Sequence, residues 1–479
     1  MKRTKMNLKK GCITAVVLYV LLITIFYFVA GEQLYFRESD YEIKSVAGDI
    51  ATPEVTTDFT VKETFLCRMN RINGITLQLA TLARMNTGNV IISVNDETVG
   101  KVLWETVVDV STLTDSVVTE WKFDQAYEDV FKHTLAIVIR TEDGQAGNAI
   151  APWYLTTENK EDMQLYFNNE PVDGTLCFSV FGDDAVWTGP HYWLIMGAVG
   201  ILLVLYCMLL LYKEKNNKKS LGLYIIHVLK KYRFLIKQLV SRDFKIKYKR
   251  SVLGMFWSFF NPLLTMIVQY FVFSTIFKAE IAYYPVYLLA GIVLYGFFSE
   301  ATGNCVGAIV GNASLIKKVY MPKYIYPVSK VFSSAVNLVI TLLPLLIVAI
   351  ITKVPITKAV VIVPFVLICL VVFSIGIGFI LSAGMVFFRD IQFIWSVVSM
   401  VWMYGTPIFY PESILPKEIQ PFLQYNPLYC YIQFFRTLII DGISPEPMMY
   451  VKCVAFSLLS LIIGVVIFRK GQDKFILYL

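Results

Sequence analysis

The chain has 479 residues, 56% of them hydrophobic, and a mean hydropathy of +0.59, which excludes an ordinary soluble protein. Its net charge of +7 conceals two opposed regions, because residues 31–190 hold 11 Lys and Arg residues against 26 Asp and Glu residues. We therefore expect an integral membrane protein whose acidic and basic regions lie in different compartments.

The N-terminus carries the first candidate membrane span. Residues 1–10 hold five Lys and Arg residues, and Cys12 to Ala30 form one apolar run. This run is longer than the apolar core of a usual signal peptide, and Phe28 interrupts the small-residue pattern that cleavage before Gly31 needs. We therefore predict that residues 1–30 form a cytoplasmic N-terminus and a retained membrane anchor.

Residues 31–190 show the period-2 alternation of β-strands. Apolar residues alternate in ITLQLATL, NVIISVND, TLAIVIRT and TLCFSVFG, and turn signals such as Asn73-Gly74 and Asp173-Gly174 separate these runs. We predict an all-β antiparallel sandwich, jelly-roll-like in topology. Its acidic character predicts an extracytoplasmic location.

Two features of this region leave alternatives open. Cys67 and Cys177 are its only cysteines, so they form either a disulfide or two buried thiols in separate strands, and no Cys or His spacing in the chain predicts a metal site. Aromatic faces also stack well on the C–H faces of sugars. The candidates for glycan contact, with packing in the sandwich core as the alternative, are Trp104, Trp121, Trp153 and Tyr154.

A second span, at residues 191–212, returns the chain to the cytoplasm. Residues 221–240 then place apolar side chains at helical spacing, with Lys230, Arg233 and Lys237 off that stripe. This pattern predicts that the cytoplasmic segment 213–252 contains a basic amphipathic helix lying on the membrane surface.

Six more apolar runs follow, at residues 253–277, 284–309, 326–352, 358–384, 391–409 and 449–468. Segments assigned to the cytoplasm hold 25 Lys and Arg residues, whereas the short outside segments after residue 253 hold five. The positive-inside rule therefore predicts eight transmembrane helices with both termini cytoplasmic.

The run SRDFKIKYKRSVLGMFWSFFNPLL, where the basic segment meets the third span, resembles the start of the first core helix in permease subunits of type-2 ABC exporters. It is most similar to permeases that move O-antigen polysaccharides, teichoic acids and related cell-wall glycans. The resemblance covers about residues 239–479 and not residues 1–190. It implies a six-helix permease domain over residues 253–479 in a bacterial plasma membrane, with the sandwich as an addition.

The loop at residues 311–331, GNASLIKKVYMPKYIYPVSKV, is predicted to be cytoplasmic and is interrupted by Pro322 and Pro327. Its N-A-x-L-I-K-K-x-x-x-P pattern resembles the coupling helix that such permeases insert into an ATPase, and ordinary positive-inside charge is the alternative. The residues that the resemblance assigns to ATPase coupling are Asn312, Leu315, Ile316, Lys317, Lys318, Tyr320, Pro322, Lys323, Arg242, Asp243 and Tyr248.

Residues 406–442 are too polar and proline-rich to cross a membrane, which favours re-entrant elements packed against protein. The resemblance implies an outer gate built from Pro407, Phe409, Tyr410, Pro411, Asn426, Pro427, Tyr429 and Arg436. Aromatic walls suit a sliding sugar chain because they offer many weak contacts. The channel-lining candidates, with lipid contact or bundle packing as the alternative, are Phe256, Trp257, Phe259 and Phe260.

Glu300 is the one acid well inside an apolar run, so it is a candidate functional carboxylate. The alternative is a position near the inner half of its span, with hydrogen bonds to Ser299, Thr302 or Asn304.

The chain has no G-x-x-x-x-G-K-[ST] motif and no Ser/His/Asp cluster, so we predict a permease subunit rather than an enzyme. The resemblance implies two copies of the chain, two copies of a separate ABC ATPase that binds ATP and Mg²⁺, a lipid-linked glycan as substrate, contacts with membrane lipid, and no nucleic acid. The rival hypotheses are a membrane-anchored glycan sensor or assembly scaffold, and a type-2 exporter of a small lipid or drug.

Overall fold

The computed structural model describes residues 8–39, 43–44, 48–156, 162–216, 218, 220–249, 253–277, 281, 283–318, 321–416 and 418–478. The chain divides into two compact units. The β-unit is Glu32–Trp193, and the helical unit comprises Met1–Gly31 and Leu194–Leu479.

The β-unit is built from strands that form two antiparallel sheets. The strands are β1 Phe36–Glu38, β2 Ile43–Lys44, β3 Ile50–Ala51, β4 Val61–Leu66, β5 Arg71–Ala80, β6 Asn89–Asp96, β7 Lys101–Asp109, β8 Val118–Glu128, β9 Thr134–Arg140, β10 Ala151–Leu155, β11 Met163–Phe167, β12 Glu170–Val172, β13 Thr175–Leu176 and β14 Phe178–Ala185.

One sheet has the order β1-β14-β5-β10-β13, with β2 on β14, β3 on β10 and β8 on β5, and the other has the order β12-β11-β4-β9-β6-β7. Inward side chains from both sheets, such as Ile75 and Val180 from one and Phe65, Ile92 and Ile137 from the other, share one buried core. The alternating apolar residues of the sequence therefore face this core. The predicted all-β sandwich is confirmed.

The pairing of β5 with its neighbours shifts register around Gly74. A Cβ atom at this position would overlap the Phe181 ring and the Trp121 carbonyl oxygen. The sequence signal that predicted a turn at Asn73-Gly74 instead marks an irregularity within a strand, where only glycine allows the close approach.

Both cysteines of the β-unit are free thiols. Cys67 follows β4 and Cys177 lies between β13 and β14, and both are buried. Burial raises the pKa of each thiol to about 11. The thiols therefore behave as small apolar side chains, as the second of the two interpretations predicted.

The helical unit contains the remaining long elements. They are α1 Leu8–Ala30, α2 Thr188–Lys215, which begins in the β-unit, α3 Leu221–Tyr248, α4 Phe256–Phe277, α5 Tyr284–Val306, α6 Ala313–Lys318, α7 Ile325–Ile351, α8 Val363–Phe387, α9 Ile391–Tyr404, α10 Gln420–Leu423, α11 Pro427–Arg436, α12 Pro447–Gln472 and α13 Phe475–Tyr478.

Among the described residues, seven helices are long and apolar enough to cross a membrane, namely α1, α2, α4, α5, α7, α8 and α12. The helix α9 has only 14 residues. At ~1.5 Å per residue it is about 21 Å long, shorter than a ~30 Å hydrocarbon core. The predicted span at residues 391–409 is therefore shorter than expected, because the helix ends at Gly405 and the chain leaves helical geometry before Pro407.

Small residues bring α8 and α12 into close contact. A Cβ atom on Gly376 would overlap Ser460, and one on Gly464 would overlap the backbone of Gly376. In a membrane, where lipid is as apolar as the helix surface, such backbone approach supplies much of the packing between helices. Helix α8 also packs against α5 and α7, and α5 is the most buried of the seven long apolar helices.

Candidate coupling and gate sites

Short helix α6 rests on an apolar cluster shared by several helices. Ile316 of α6 is buried with Leu239 of α3 and Phe468 of α12. Lys317 and Lys318 point away from this cluster and are exposed. The loop therefore presents two exposed cations on a short helix that packs against the apolar membrane helices. We call the surface formed by α3 and α6 the basic end.

Other residues of the predicted coupling pattern support the shape of this loop. The Asn312 side-chain amide donates a 2.8 Å hydrogen bond to the carbonyl of Ala308, and Leu315 packs half-buried against the apolar cluster. The carbonyl of Pro322 accepts a hydrogen bond from the first residues of α7. Tyr320 lies outside the described residues.

Lys323 has a different role from Lys317 and Lys318. Its ammonium group donates a hydrogen bond to the carbonyl of Gln472 and lies 5.6 Å from the centroid of the Phe475 ring. Partial burial lowers the pKa of Lys323. This side chain therefore attaches the loop that follows α6 to the C-terminal end of α12 rather than standing free at the surface.

Arg242 and Asp243 join α3 to the membrane helices. The Asp243 carboxylate lies 2.9 Å from the Arg242 guanidinium and 2.9 Å from the Lys330 ammonium of α7. The Asp243 side chain is only 9% exposed, so both cations are needed to compensate its loss of water. The pair predicted for coupling thus holds α3 against α7.

Tyr248, near the end of α3, makes a second connection. Its hydroxyl donates a 2.8 Å hydrogen bond to Asn337 Oδ1 of α7 and also bonds Ser258 of α4. A movement of α3 would therefore act on α4 and α7 together.

Glu300 of α5 completes this polar network. It accepts hydrogen bonds from the Lys247 ammonium at 2.7 Å, from the Asn337 side-chain amide at 2.9 Å and from the Ser334 hydroxyl at 3.1 Å. A carboxylate with three donors, one of them charged, is well satisfied at the edge of a membrane. The network connects α3, α5 and α7 through a single side chain.

The partners predicted for Glu300 were wrong. The Thr302 hydroxyl bonds the carbonyl of Phe298, and the Asn304 amide bonds Ser334 at 3.3 Å. Partners on the same helix were expected because they are near in sequence, whereas the structure supplies partners from α3 and α7. The signal available in the sequence was the pair Ser334 and Asn337, spaced i, i+3 on one face of α7.

A cavity of about 510 Å³ lies between α5 and α9, with Met385 of α8 at its border. Its polar lining includes Gln392, Ser396 and Ser399, which are spaced i, i+4, i+7 on one face of α9. Trp395 adds an aromatic wall. The sequence analysis missed this site, although the polar stripe on an otherwise apolar helix is a readable signal.

The predicted channel-lining residues do not border this cavity. Phe256, Trp257 and Phe260 of α4 are exposed on the surface of the chain, and Phe259 is half-buried with its ring edge-on to Phe260. Within one chain they form an outward aromatic face rather than a channel wall.

The predicted gate segment is organised by one buried cation. Arg436, 3% exposed at the end of α11, donates 2.9 Å hydrogen bonds to the carbonyls of Pro407 and Ile408 and a 3.1 Å bond to that of Tyr287. Its guanidinium also stacks on the Tyr287 ring, 3.3 Å from the centroid. The fork of donors thereby pins residues 407–408 to α5.

Asn426 holds the other side of the segment. Its carbonyl oxygen caps α11 by accepting from the Leu428 amide at 3.1 Å and also accepts from Trp402 Nε1 at 2.9 Å, while its amide donates to Thr406 at 2.9 Å. Pro427 occupies the first position of α11, where its missing N–H costs nothing. One side chain thus joins α9, α11 and the intervening loop.

The aromatic residues of the segment fill the space between these anchors. The Phe409 ring stacks on Phe273 with centroids 5.6 Å apart, the Tyr410 hydroxyl bonds the carbonyl of Tyr404, and the Tyr429 hydroxyl bonds Glu412. Pro411 precedes a 3-10 turn that begins at Glu412. The eight predicted gate residues are therefore gathered in one packed region, and Glu412 is a member that the sequence analysis missed.

In the β-unit, three of the four aromatic residues proposed for glycan contact, Trp104, Trp121 and Tyr154, pack against the core, whereas Trp153 is half-buried and lies outside that cluster. Trp104 is 7% exposed and its ring lies 4.8 Å from that of Phe123. Trp121 and Tyr154 are half-buried against the same core, and Trp153 Nε1 donates to the Ser116 hydroxyl at 3.1 Å. A sugar cannot reach Trp104 without opening the sandwich.

Comparison with known proteins places these features in a family. Residues 234–440 match the model of the ABC-2 type transporter family. An O-antigen export system permease protein of Klebsiella pneumoniae is 30% identical over 244 residues, which covers 50% of this chain and 93% of that relative. The chain belongs to the ABC-2 family of polysaccharide-export permeases. The predicted resemblance is thereby confirmed.

Two other relatives extend the comparison. An O-antigen export system permease protein of Myxococcus xanthus is 28% identical over 253 residues, covering 52% of this permease and 97% of the relative. A polysialic acid transport protein of Escherichia coli is 23% identical over 246 residues, covering 50% and 93% respectively. Each alignment spans about half of this permease, and the family match begins within α3, so the β-unit, α1 and α2 precede it.

Proposed function

We propose that this permease is the membrane conduit of an ATP-driven exporter that moves a lipid-linked polysaccharide, such as an O-antigen or a teichoic acid, across a bacterial plasma membrane. The observation that carries the proposal is the basic end. Its two exposed lysines lie on α6, which packs on an apolar cluster shared with α7, α8 and α12. Side chains of α3 also make polar contacts with α5 and α7. Such a surface transmits an applied movement to the membrane helices.

The energy for that movement comes from a separate ABC ATPase, present in two copies, which binds ATP and Mg²⁺. The chain offers no phosphate-binding loop of its own. An ATPase that docks on Lys317 and Lys318 and closes on ATP would displace α6 and α3 together, because both rest on the same cluster.

The charge distribution supports the orientation. Lys and Arg residues concentrate in the segments that include the basic end, whereas residues 31–190 carry a net charge of −15. By the positive-inside rule, the basic end and both termini lie in the cytoplasm and the β-unit lies outside. The region around Arg436 is then the outer gate.

A second copy of the permease completes the conduit. The exposed aromatic face of Phe256, Trp257 and Phe260 on α4, and the cavity beside α9, lie open on the single chain. Facing copies would turn both surfaces inward, where aromatic rings and hydroxyls offer weak contacts to a sliding sugar polymer. The remaining apolar surface contacts membrane lipid.

Reconstitution of the permease with its ATPase tests this proposal. We expect ATP hydrolysis to be stimulated by lipid-linked glycan, and the double variant Lys317→Glu, Lys318→Glu to lose ATPase binding because it reverses the charge of α6 without touching Ile316. The matched control is Lys358→Glu, an exposed lysine in the loop before α8. Retention of binding by the α6 variant, or loss in the control, contradicts the assigned docking surface.

The same assay separates the rival functions. Stimulation by a small lipid or drug, and not by glycan, would indicate a small-molecule exporter. A permease that binds no ATPase under any condition would indicate a sensor or scaffold.

A further inference from the structure

The N-terminus of α1, the C-terminal part of α2 and the N-terminus of α3 meet in an apolar cluster. Leu8, Leu210 and Leu223, one from each helix, are all buried there, and Cys12 and Ile226 pack around them. The family match begins at residue 234, within α3, so this junction attaches the two spans that precede the match to the start of α3. We call it the three-helix junction.

The junction depends on a close approach between α2 and α3. A Cβ atom on Gly222 would overlap the hydroxyl of Tyr206 and lie 3.0 Å from Leu210 Cδ2. Because no space remains between the two helices at Gly222, a shift of α2 toward α3 would displace the first turn of α3. Sideways movement of α2 must therefore displace α3 or break the contact.

The opposite ends of α1 and α2 continue into the β-unit with almost no linker. One 3-10 turn, Gly31–Leu34, separates α1 from β1, and two residues separate β14 from α2. Strands β1 and β14 pair with each other, and the amide of Val186 donates a 2.7 Å hydrogen bond to the carbonyl of Tyr35. The two connections are thus tied together rather than acting as independent tethers.

Arg71 strengthens this base of the sandwich. Its guanidinium donates a 2.7 Å hydrogen bond to Asp183 of β14 and lies 4.1 Å from the centroid of the Phe36 ring of β1. Asn73 donates to the same Asp183 carboxylate at 2.8 Å. One side chain therefore contacts both strands that lead to the membrane helices.

We propose that α1 and α2 form a transmembrane link through which a force or ligand acting on the sandwich shifts the cytoplasmic helix α3. The contacts of Arg71 hold together the two strands that continue into these helices, and the three-helix junction passes a movement of the helices to α3. The proposal rests on the proposed function only where it calls the sandwich external and α3 the ATPase-facing helix. In the working exporter, the state of the outer domain would then regulate the surface on which the ATPase acts.

Hydrogen exchange on the full-length permease in lipid nanodiscs tests the link. Arg71→Ala loosens the base of the sandwich, and the readout is the exchange rate of the backbone amides of residues 223–230, at the far ends of α1 and α2. A second background carries Gly222→Leu, which forces α3 away from Tyr206. The matched control background is Gly197→Leu, because a side chain at this α2 glycine meets nothing within 4 Å.

We expect Arg71→Ala to raise the exchange of residues 223–230 by about threefold or more in the native and Gly197→Leu backgrounds, and to have no further effect in the Gly222→Leu background. An unchanged rate at α3, or an equal increase in all three backgrounds, overturns the proposal. Arg71→Lys is the second variant, in which the same pattern is expected at smaller amplitude while strands β4 and β9 stay protected. A permease that binds no ATPase would refute the proposed function without affecting this measurement.

Discussion

The two units of the permease bury charge in opposite ways. In the helical unit, Arg436 is buried with no acidic partner among the described residues, and three backbone carbonyls and an aromatic face satisfy it. In the β-unit, Glu63 is also buried, yet within the described part of the chain only one of its oxygens has a partner, the amide of Leu176 at 3.2 Å. Burial raises the pKa of Glu63 to about 8.

The difference follows from proton chemistry. A guanidinium does not give up its proton in a protein, so a fold that buries one must supply acceptors in the right places. A carboxyl group can take up a proton, so its burial is tolerated with few partners. Arg436 therefore specifies the geometry of the predicted gate segment, whereas Glu63 makes the sandwich sensitive to pH.

Removal of the gate cation should have the largest effect. Arg436→Ala leaves three buried carbonyls without their donors, which we expect to cost about 3 kcal/mol or more and to lower the melting temperature of the purified permease strongly. Arg436→Lys should recover only part of the loss, because one ammonium cannot reproduce the fork. The control Arg469→Ala removes an exposed arginine near the end of α12, and a similar loss there would show that the effect is not specific to the gate.

The pH dependence of the sandwich has a defined sign, and its change per pH unit should be smaller than the effect of Arg436→Ala. Because the pKa of Glu63 is raised above its usual value of 4.5 to about 8, the folded state binds the proton more tightly than the unfolded state does. The contribution of this proton to the free energy of unfolding is largest below about pH 4.5. It falls by about 1.4 kcal/mol per pH unit between about pH 4.5 and about pH 8, and it does not change further above about pH 8.

Hydrogen exchange of β4 in the full-length chain, followed from pH 5 to pH 9 and corrected for intrinsic rates, measures this slope. Glu63→Gln should flatten it, since the amide has the same shape and no proton to lose. A slope that is equal in both proteins would show that Glu63 is not buried as a neutral acid.

A pair at the basic end should show the smallest effect. Lys247 and Glu300 lie 2.7 Å apart, but their side chains are 40% and 28% exposed. Water screens such pairs, so a double-mutant cycle with Lys247→Met and Glu300→Gln should give a coupling of about 0.5–1 kcal/mol in thermal unfolding. A coupling as large as the Arg436 effect would mean that this end is as rigid as the gate.

The sequence predicted the elements better than the contacts between them. Alternation in β5, β6, β9 and β14, and the apolar length of α4, α5, α7, α8 and α12, are local patterns, so the sandwich and most spans were readable. Helix α6 and its exposed lysines were readable because the lysines and prolines of this loop lie within a few residues, and the role of the loop in coupling stays a prediction. The partners of Glu300 and Arg436 were not, since Arg436 bonds the carbonyl of Tyr287 from 149 residues away.

Side-chain burial was also hard to predict for single aromatic residues. Trp104 lies on β7, an edge strand, and the sequence around it does not decide which face of the sheet its side chain takes. Its packing against the Phe123 ring shows that the side chain faces the core. The cavity beside α9 was not predicted, because the three polar lining residues on α9 lie in an apolar run whose length suggests a full span.

Transport by reconstituted vesicles tests the central claim most directly. Proteoliposomes containing the permease and its ATPase, loaded with a fluorescent lipid-linked glycan, should move the glycan to the opposite leaflet only when ATP is supplied on the side of the basic end. The Lys317→Glu, Lys318→Glu variant should abolish this movement, whereas Lys358→Glu should preserve it. Glycan movement without ATP, or undiminished movement by the α6 variant, would contradict the account of a conduit driven from its basic end.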